Sequence, residues 1–263
     1  MRTINIMQIG AGGTGNWFAR SAMHTLVQSV KEAQEEMSIK WGIQDPDNIE
    51  DRNLIRQPFY GGVNENKAEY VARLVNNFFG YSKVDANIVA YPTMLRESND
   101  TPAVLKDILH SGIGVIVCCV DNSYTRDLIE RTLMSNKKEG IVYLNMGVSE
   151  EGHWLVEAIR GDVVMSTPFG DLTYPDDMLS CAEREEMSPV PQTVYSNIQA
   201  GNMAAHMLMD ILLTAEHKPV TRVYGKDYTC GPMDPAGYFL ERATIIKKEE
   251  DKPDEIANTD SPQ

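Results

Sequence analysis

Thr3-Ile-Asn-Ile-Met-Gln-Ile9 runs directly into Gly10-Ala-Gly-Gly-Thr-Gly15, and residues 16–36 then carry helix-forming side chains. The apolar, β-prone run predicts a strand, the glycines a tight turn, and the segment beyond them a helix. Gly10, Gly12 and Gly15 have the G-x-G-x-x-G spacing, with Gly13 between them. Such glycines permit a sharp turn and let the backbone approach phosphate at a helix N-terminus. The pattern implies a nucleotide without naming it, and a purely structural glycine turn is the competing reading.

Working outward, residues 39–44 read as a second strand that ends at Asp45, and residues 46–66 as a long irregular loop. Residues 67–79, 102–109 and 126–134 read as helices, and residues 84–91, 114–120 and 141–146 as strands. Strands alternating with helices predict an α/β, Rossmann-like nucleotide-binding fold with a mainly parallel central sheet flanked by helices. Beyond these, 154–159 with 163–167 read as a hairpin, 171–191 as a loop and 194–214 as a long helix. One domain is expected over 1–246, followed by an acidic flexible tail at 247–263, where large apolar residues are few.

The chain has 263 residues, 42% of them hydrophobic, enough to bury a sizeable core. Its formal net charge of −14 argues against nucleic acid and against an anionic membrane surface, since both recruit clustered Lys and Arg. No apolar run approaches the ~20 residues of a membrane span, and no secretory leader is evident. A cytoplasmic location is the default expectation. Four cysteines, Cys118, Cys119, Cys181 and Cys230, do not suggest a disulfide framework, and Cys118 and Cys119 fall in an apolar run suited to the core.

Asp45-Pro-Asp47-Asn-Ile-Glu50-Asp-Arg-Asn53-Leu-Ile-Arg56-Gln57, then Asn66-Lys67-Ala68, resembles the signature of the ubiquitin-activating superfamily, which includes the ThiF and MoeB enzymes. Cys119-Val-Asp121-Asn122-Ser-Tyr-Thr-Arg126 is similar to a second family motif, and Cys181-Ala-Glu followed by Asn197-Ile-Gln199-Ala200 to a third, weaker one. The resemblance implies ATP, Mg2+ and adenylation of a carboxylate. Attack of a carboxylate on the α-phosphate needs positive charge on the phosphates, a metal and precise positioning. Arg56 suits a bidentate phosphate grip, Lys67 a point charge, Asn53 a neutral hydrogen bond, and Asp121 a Mg2+ ligand with Asn122 beside it. Carried over by position, the resemblance puts Gly13 beside the phosphates, Asp45 on the ribose, Asn53, Arg56 and Lys67 on the triphosphate, and Asp121 on the metal-bound nucleotide. Asp47 and Gln57 complete the expected cofactor-binding set, Gln57 as a brace.

Read singly, Asp45 and Asp47 also suit loop turns, Arg56 a surface pair with Glu50 or Asp51, and Asp121-Asn122 a helix N-cap. Cys181 matches a family cysteine that takes the activated acyl group in some members; an unreactive loop thiol is the alternative. The implied partner is a small ubiquitin-like or sulfur-carrier protein ending in Gly-Gly, activated at its C-terminal glycine. A conjugating enzyme of the E2 type and a homodimeric assembly come with the same resemblance. Two departures stand out: the chain starts at the strand, without the helical arginine segment of relatives, so that arginine is absent, replaced by Arg52 or supplied by another chain. It also lacks Cys-x-x-Cys pairs, so no structural zinc is expected. An NAD-dependent oxidoreductase, resting on the glycines and Asp45, and a non-catalytic scaffold of the same fold are the competing functions.

Overall fold

Alternation within each central strand decides what the sheet must be covered by. In β1 (Arg2–Ile9), Ile4 and Ile6 face one side while Met7 and Ile9 face the other, and all four are buried. The same holds in β4 (Gly114–Cys118), with Val115 and Val117 opposed to Ile116 and Cys118. Strands apolar on both sides need helices on both sides, which is the environment of parallel sheets. The computed structural model describes residues 2–32, 36–55, 57–95, 108, 114–136, 140–148, 153–160, 194–213 and 220–226, all within a compact unit at Met1–Asp227.

Among the described residues seven strands form one sheet in the order β3-β2-β1-β4-β5-β6-β7. β2 (Met37–Gln44), β3 (Ala86–Tyr91), β1, β4 and β5 (Ile141–Val148) pair in parallel, while β6 (His153–Arg160) and β7 (Val220–Lys226) continue the sheet antiparallel. Ile6 pairs with Trp41 on one side and Val115 on the other. The strand order reverses direction between β1 and β4, the switch point where ligands of such sheets bind. The expected mainly parallel α/β architecture is therefore the observed one.

Helices α1 (Gly13–Glu32), α2 (Lys67–Ser82) and α4 (Val194–Leu213) cover one face, where Phe18, Leu26, Val71, Phe79, Ala200 and Leu208 meet the strands. Helix α3 (Ser123–Asn136) covers the other with Leu128, Ile129 and Leu133, joined by Ile108. Cys118 and Cys119 face opposite sides, the first fully buried and the second partly so. Trp41 sits between Phe18 and Phe79, with ring centroids 6.0 and 6.5 Å away, in edge and tilted arrangements that aromatic quadrupoles favour.

Several sequence expectations need correction. The expected hairpin joins β6 to residues 163–167, which lie outside the described residues; among the described residues β6 pairs with β5 on one edge and β7 on the other. β7 was unforeseen, although Val220-Thr-Arg-Val-Tyr is rich in β-branched and aromatic residues. Helices α1 and α3 begin three residues before their expected starts, at Gly13 and Ser123, since Gly is tolerated in a first turn and Asn122 caps the second. The irregular loop 46–66 contains a 3-10 turn at Asp51–Ile55 and an isolated bridge between Asn48 and Asn66. Of the 102–109 helix only Ile108 is described, and the 163–167, 171–191 and 247–263 readings lie outside the described residues.

Two glycines with opposite surroundings test this packing. A Cβ on Gly201, in α4, would lie 2.6 Å from the Phe18 backbone nitrogen, whereas one on Gly80, in α2, meets nothing within 4 Å among the described residues. Gly201→Ala is expected to destabilise by ~1–3 kcal/mol through overpacking, and Gly80→Ala to stabilise by ~0.5–1 kcal/mol through helix propensity. Urea unfolding of the two variants gives the comparison.

Candidate functional site

Between the end of β1 and the start of α1 only Gly10, Ala11 and Gly12 make the turn. Gly10 has φ +98°, and a Cβ there would lie 2.9 Å from the Cys119 carbonyl carbon and oxygen, so both conformation and space demand glycine. Its N–H donates to the Gln44 carbonyl at 2.8 Å, while the buried Gln8 side-chain amide donates to the Gly10 and Gly15 carbonyls, each at 2.9 Å. At Gly15 a Cβ would fall 2.2 Å from the Gly10 carbonyl oxygen. Among the described residues only Gln57 Oε1 approaches a Cβ position at Gly12, at 3.9 Å, which leaves room for a ligand to approach the backbone from that side. The first intrahelical bond runs from the Asn16 N–H to the Gly12 carbonyl at 2.9 Å. Backbone N–H groups of a helix's first turn point at such a ligand, on the positive end of the helix dipole.

Asp45 leaves β2 beside this turn and is 7% exposed. Its Oδ2 accepts the Ala11 N–H at 2.7 Å and its Oδ1 the Asp47 N–H at 2.9 Å. Burial pushes its carboxyl up to about 6, against the opposing pull of the Lys67 charge and the Ala11 N–H. Asn66 ties the other end of the loop in place. Its side-chain amide donates to the Asp45 and Asp47 carbonyls, both at 3.0 Å, and its Oδ1 caps α2 by accepting the Ala68 and Glu69 N–H groups. Lys67, first in α2 and 8% exposed, reaches Asp47 Oδ2 with Nζ at 3.0 Å. The structure thus gathers the glycine turn, Asp45, Asp47 and Lys67 at the C-terminal end of the sheet.

Asn53 is 2% exposed and folds the 3-10 turn, its Oδ1 accepting the Glu50 N–H at 2.9 Å while its carbonyl accepts the Gln57 N–H at 2.8 Å. Gln57 Oε1, near Gly12, is buried and has no hydrogen-bond partner among the described residues. Arg20 holds the following residues to α1, donating to Asn16 Oδ1 at 3.0 Å and the Pro58 carbonyl at 2.8 Å, with Tyr60 stacked 5.0 Å from its guanidinium. Arg52 pairs with Glu50, and that contact holds the Glu50 carboxyl below its usual range. Arg56 lies outside the described residues, as do Cys181 and Cys230.

Asp121 follows β4 at the surface, two residues beyond Cys119, whose backbone abuts Gly10. Asn122 Oδ1 accepts the Thr125 N–H at 2.8 Å and so caps α3. Beneath them the buried Arg126 donates to Asn145 Oδ1, to the Val120 carbonyl, and to the Met146 carbonyl at 2.6 Å. Asn145 in turn donates to the buried Glu157 at 3.2 Å. One turn along α3, burial pushes Glu130 up to about 7 despite the Arg126 charge. Among the described residues, no group of three or more His, Cys, Asp or Glu is placed to hold a metal, and no helix is long and apolar enough to cross a membrane.

The ThiF family profile matches residues 1–230. The chain belongs to the ThiF family. At the level of sequence no curated protein matches it. Among solved structures, Escherichia coli MccB with MccA-N7isoASN superposes with a TM-score of 0.54 at 13% identity, over 86% of this chain and 62% of that one. E. coli MccB alone gives 0.53 at 14% identity, over 86% of this chain and 60% of that one. At these identities the likeness concerns the fold, and this chain spans about 60% of the MccB length.

Two contacts of this ThiF-family site were not foreseen as such. Asn66 as a cap was legible, being a good N-cap residue directly before a helix. The contact of Asn197 with Thr14, at 2.7 Å across 183 positions, had no local signal.

The Asp45 environment gives a pH test. An acid whose folded value, about 6, exceeds its ordinary 3.8 adds stability below pH 3.8 that is lost as pH rises through 6. The roughly two-unit shift corresponds to about 2–3 kcal/mol. Asp45→Asn is expected to lose most of that dependence. Urea titrations of both proteins at pH 4.5 and 7.5 measure it.

Proposed function

We propose that this chain adenylates a carboxylate with ATP and Mg2+. The observation that carries this reading is the meeting of an open glycine turn, a buried carboxylate and a buried lysine at the ends of β1 and β2. The donor set suits a triphosphate. The first N–H groups of α1 and the Lys67 ammonium neutralise phosphate oxygens, and Arg56 is assigned the bidentate grip. Asp45, with lone pairs beyond the two already used, takes the ribose hydroxyls, and Asn53 and Gln57 shape the floor. Asp121 is assigned to Mg2+, which when bound withdraws charge from the phosphates.

In the reaction a carboxylate oxygen attacks the α-phosphorus. The new O–P bond forms as the bond to the β-phosphate oxygen breaks, and pyrophosphate leaves with that electron pair. The product is an acyl-adenylate. Lys67 and Arg56 act on the charge that grows on the leaving group, which is where preorganised cations lower a barrier most. NAD would leave the Asn53, Arg56 and Lys67 cluster without a task.

The carboxylate we assign is the C-terminal glycine of a ubiquitin-like or sulfur-carrier protein, with Cys181 as acceptor of the acyl group. The Asp45–Gln57 and Asp121–Arg126 motifs support it. Thioester formation would expel AMP as the Cys181 thiolate attacks the acyl carbon. The fold likeness to E. coli MccB, seen with MccA-N7isoASN, motivates a second reading in which the carboxylate belongs to another kind of molecule.

Pyrophosphate–ATP exchange that depends on an added Gly-Gly-tailed protein tests the reaction and its substrate together. Lys67→Ala, Arg56→Ala and Asp121→Ala are each expected to lower exchange ~100-fold or more. Undiminished exchange in Arg56→Ala and Asp121→Ala would overturn the site assignment. Exchange driven by other carboxylates alone would favour the second reading. Cys181→Ser is expected to keep exchange while losing any thiol-sensitive protein adduct on gels.

A further inference from the structure

Helix α4 crosses α1 at close range. Gly201 leaves room for the backbone of Thr14 and Phe18 and for the Trp17 Cβ, all 2.6 to 3.0 Å from where a Cβ would stand. One turn earlier on α4, Asn197 is 3% exposed. Its Oδ1 accepts the Thr14 hydroxyl at 2.7 Å. Its amide lies against Gly13, with Nδ2 2.8 Å and Cγ 2.9 Å from a Cβ position there. The two contacts together orient the group: with Oδ1 committed to the hydroxyl, Nδ2 faces the first residue of α1.

We infer that Asn197 is a positioning residue for the phosphate end of the nucleotide, acting through Gly13 and Thr14. The inference rests on the ATP reading above. Gly13 and Thr14 carry the first N–H groups of α1, so any rotation of that turn re-aims the donors that phosphate would meet. Asn197 resists such rotation from a helix outside the β1–α1 unit. It also explains the glycine at position 13, where any side chain would displace the amide. Because Thr14 donates its hydroxyl proton to Asn197, its oxygen is left as an acceptor and the backbone carries the phosphate contacts.

The test uses the full chain, titrated calorimetrically with Mg·ATP and with adenosine, which lacks phosphates. Asn197→Ala and Thr14→Val are each expected to weaken Mg·ATP binding roughly fivefold to tenfold, the scale of one hydrogen bond. Adenosine binding is expected to stay unchanged. The double variant is expected to bind Mg·ATP no worse than the weaker single variant, since both remove the same contact. Asn197→Asp keeps the acceptor for Thr14 but buries a negative charge, so it is expected to lower the melting temperature and to weaken Mg·ATP binding more than adenosine binding.

Unchanged Mg·ATP affinity in Asn197→Ala and Asn197→Asp would overturn the inference while leaving the ATP reading standing. So would equal loss of ATP and adenosine binding, which marks a merely structural residue, and so would additive effects in the double variant. An unmodified chain that binds neither Mg·ATP nor adenosine would overturn the ATP reading itself, and this inference with it.

Discussion

The carboxylate of Asp45, buried between the glycine turn and the following loop, is the contact on which the site depends. One oxygen takes the Ala11 N–H and the other the Asp47 N–H, so a single side chain fixes both the turn after β1 and the loop after β2. Removing a carboxylate from water is costly unless hydrogen bonds and a counter-charge offset it. Here two N–H groups and Lys67 offset part of that cost, and the remainder appears as a carboxyl displaced upward to about 6. A carboxyl raised by burial beside the glycine turn is the group that the proposed ribose contact would use.

Close backbone approach is the second constraint. Gly10 lies against the Cys119 carbonyl and Gly15 against the Gly10 carbonyl, so the end of β1, the end of β4 and the start of α1 are held within van der Waals reach. This brings Asp121, which follows β4, to the same end of the sheet as the glycine turn. Gly201 extends the principle to α4, whose proximity to α1 lets a residue far away in sequence brace the turn.

Beneath Asp121 the sheet carries a connected chain of buried polar groups. Arg126 ties the Val120 carbonyl, at the exit of β4, to Asn145 and Met146 in β5, and Asn145 carries the chain of bonds to Glu157 in β6. A buried guanidinium bonded to two carbonyls and an amide positions a strand end more rigidly than apolar contact would. Helix α3 contributes both Arg126 and Glu130, whose carboxyl burial pushes upward, so the polarity belongs to one helix face and two adjoining strands.

The sequence by itself determined the strand–turn–helix entry, the first five strands and their mainly parallel sheet, the Asp45–Lys67 loop and the family, because these rest on local periodicity and on motifs contiguous in the chain. It also placed Cys118 and Cys119 in apolar surroundings, through their position in a buried run. Tertiary structure alone decided which edges of β6 were occupied, that β7 closes the sheet, and that Asn197 meets Thr14. Strand pairing depends on which backbone edges remain free after the rest of the sheet has assembled, and a contact spanning 183 positions depends on how two helices cross. Neither quantity has a local trace. The same holds for the charge state of Asp45, since a carboxylate in a motif looks alike in sequence whether it is wet or buried.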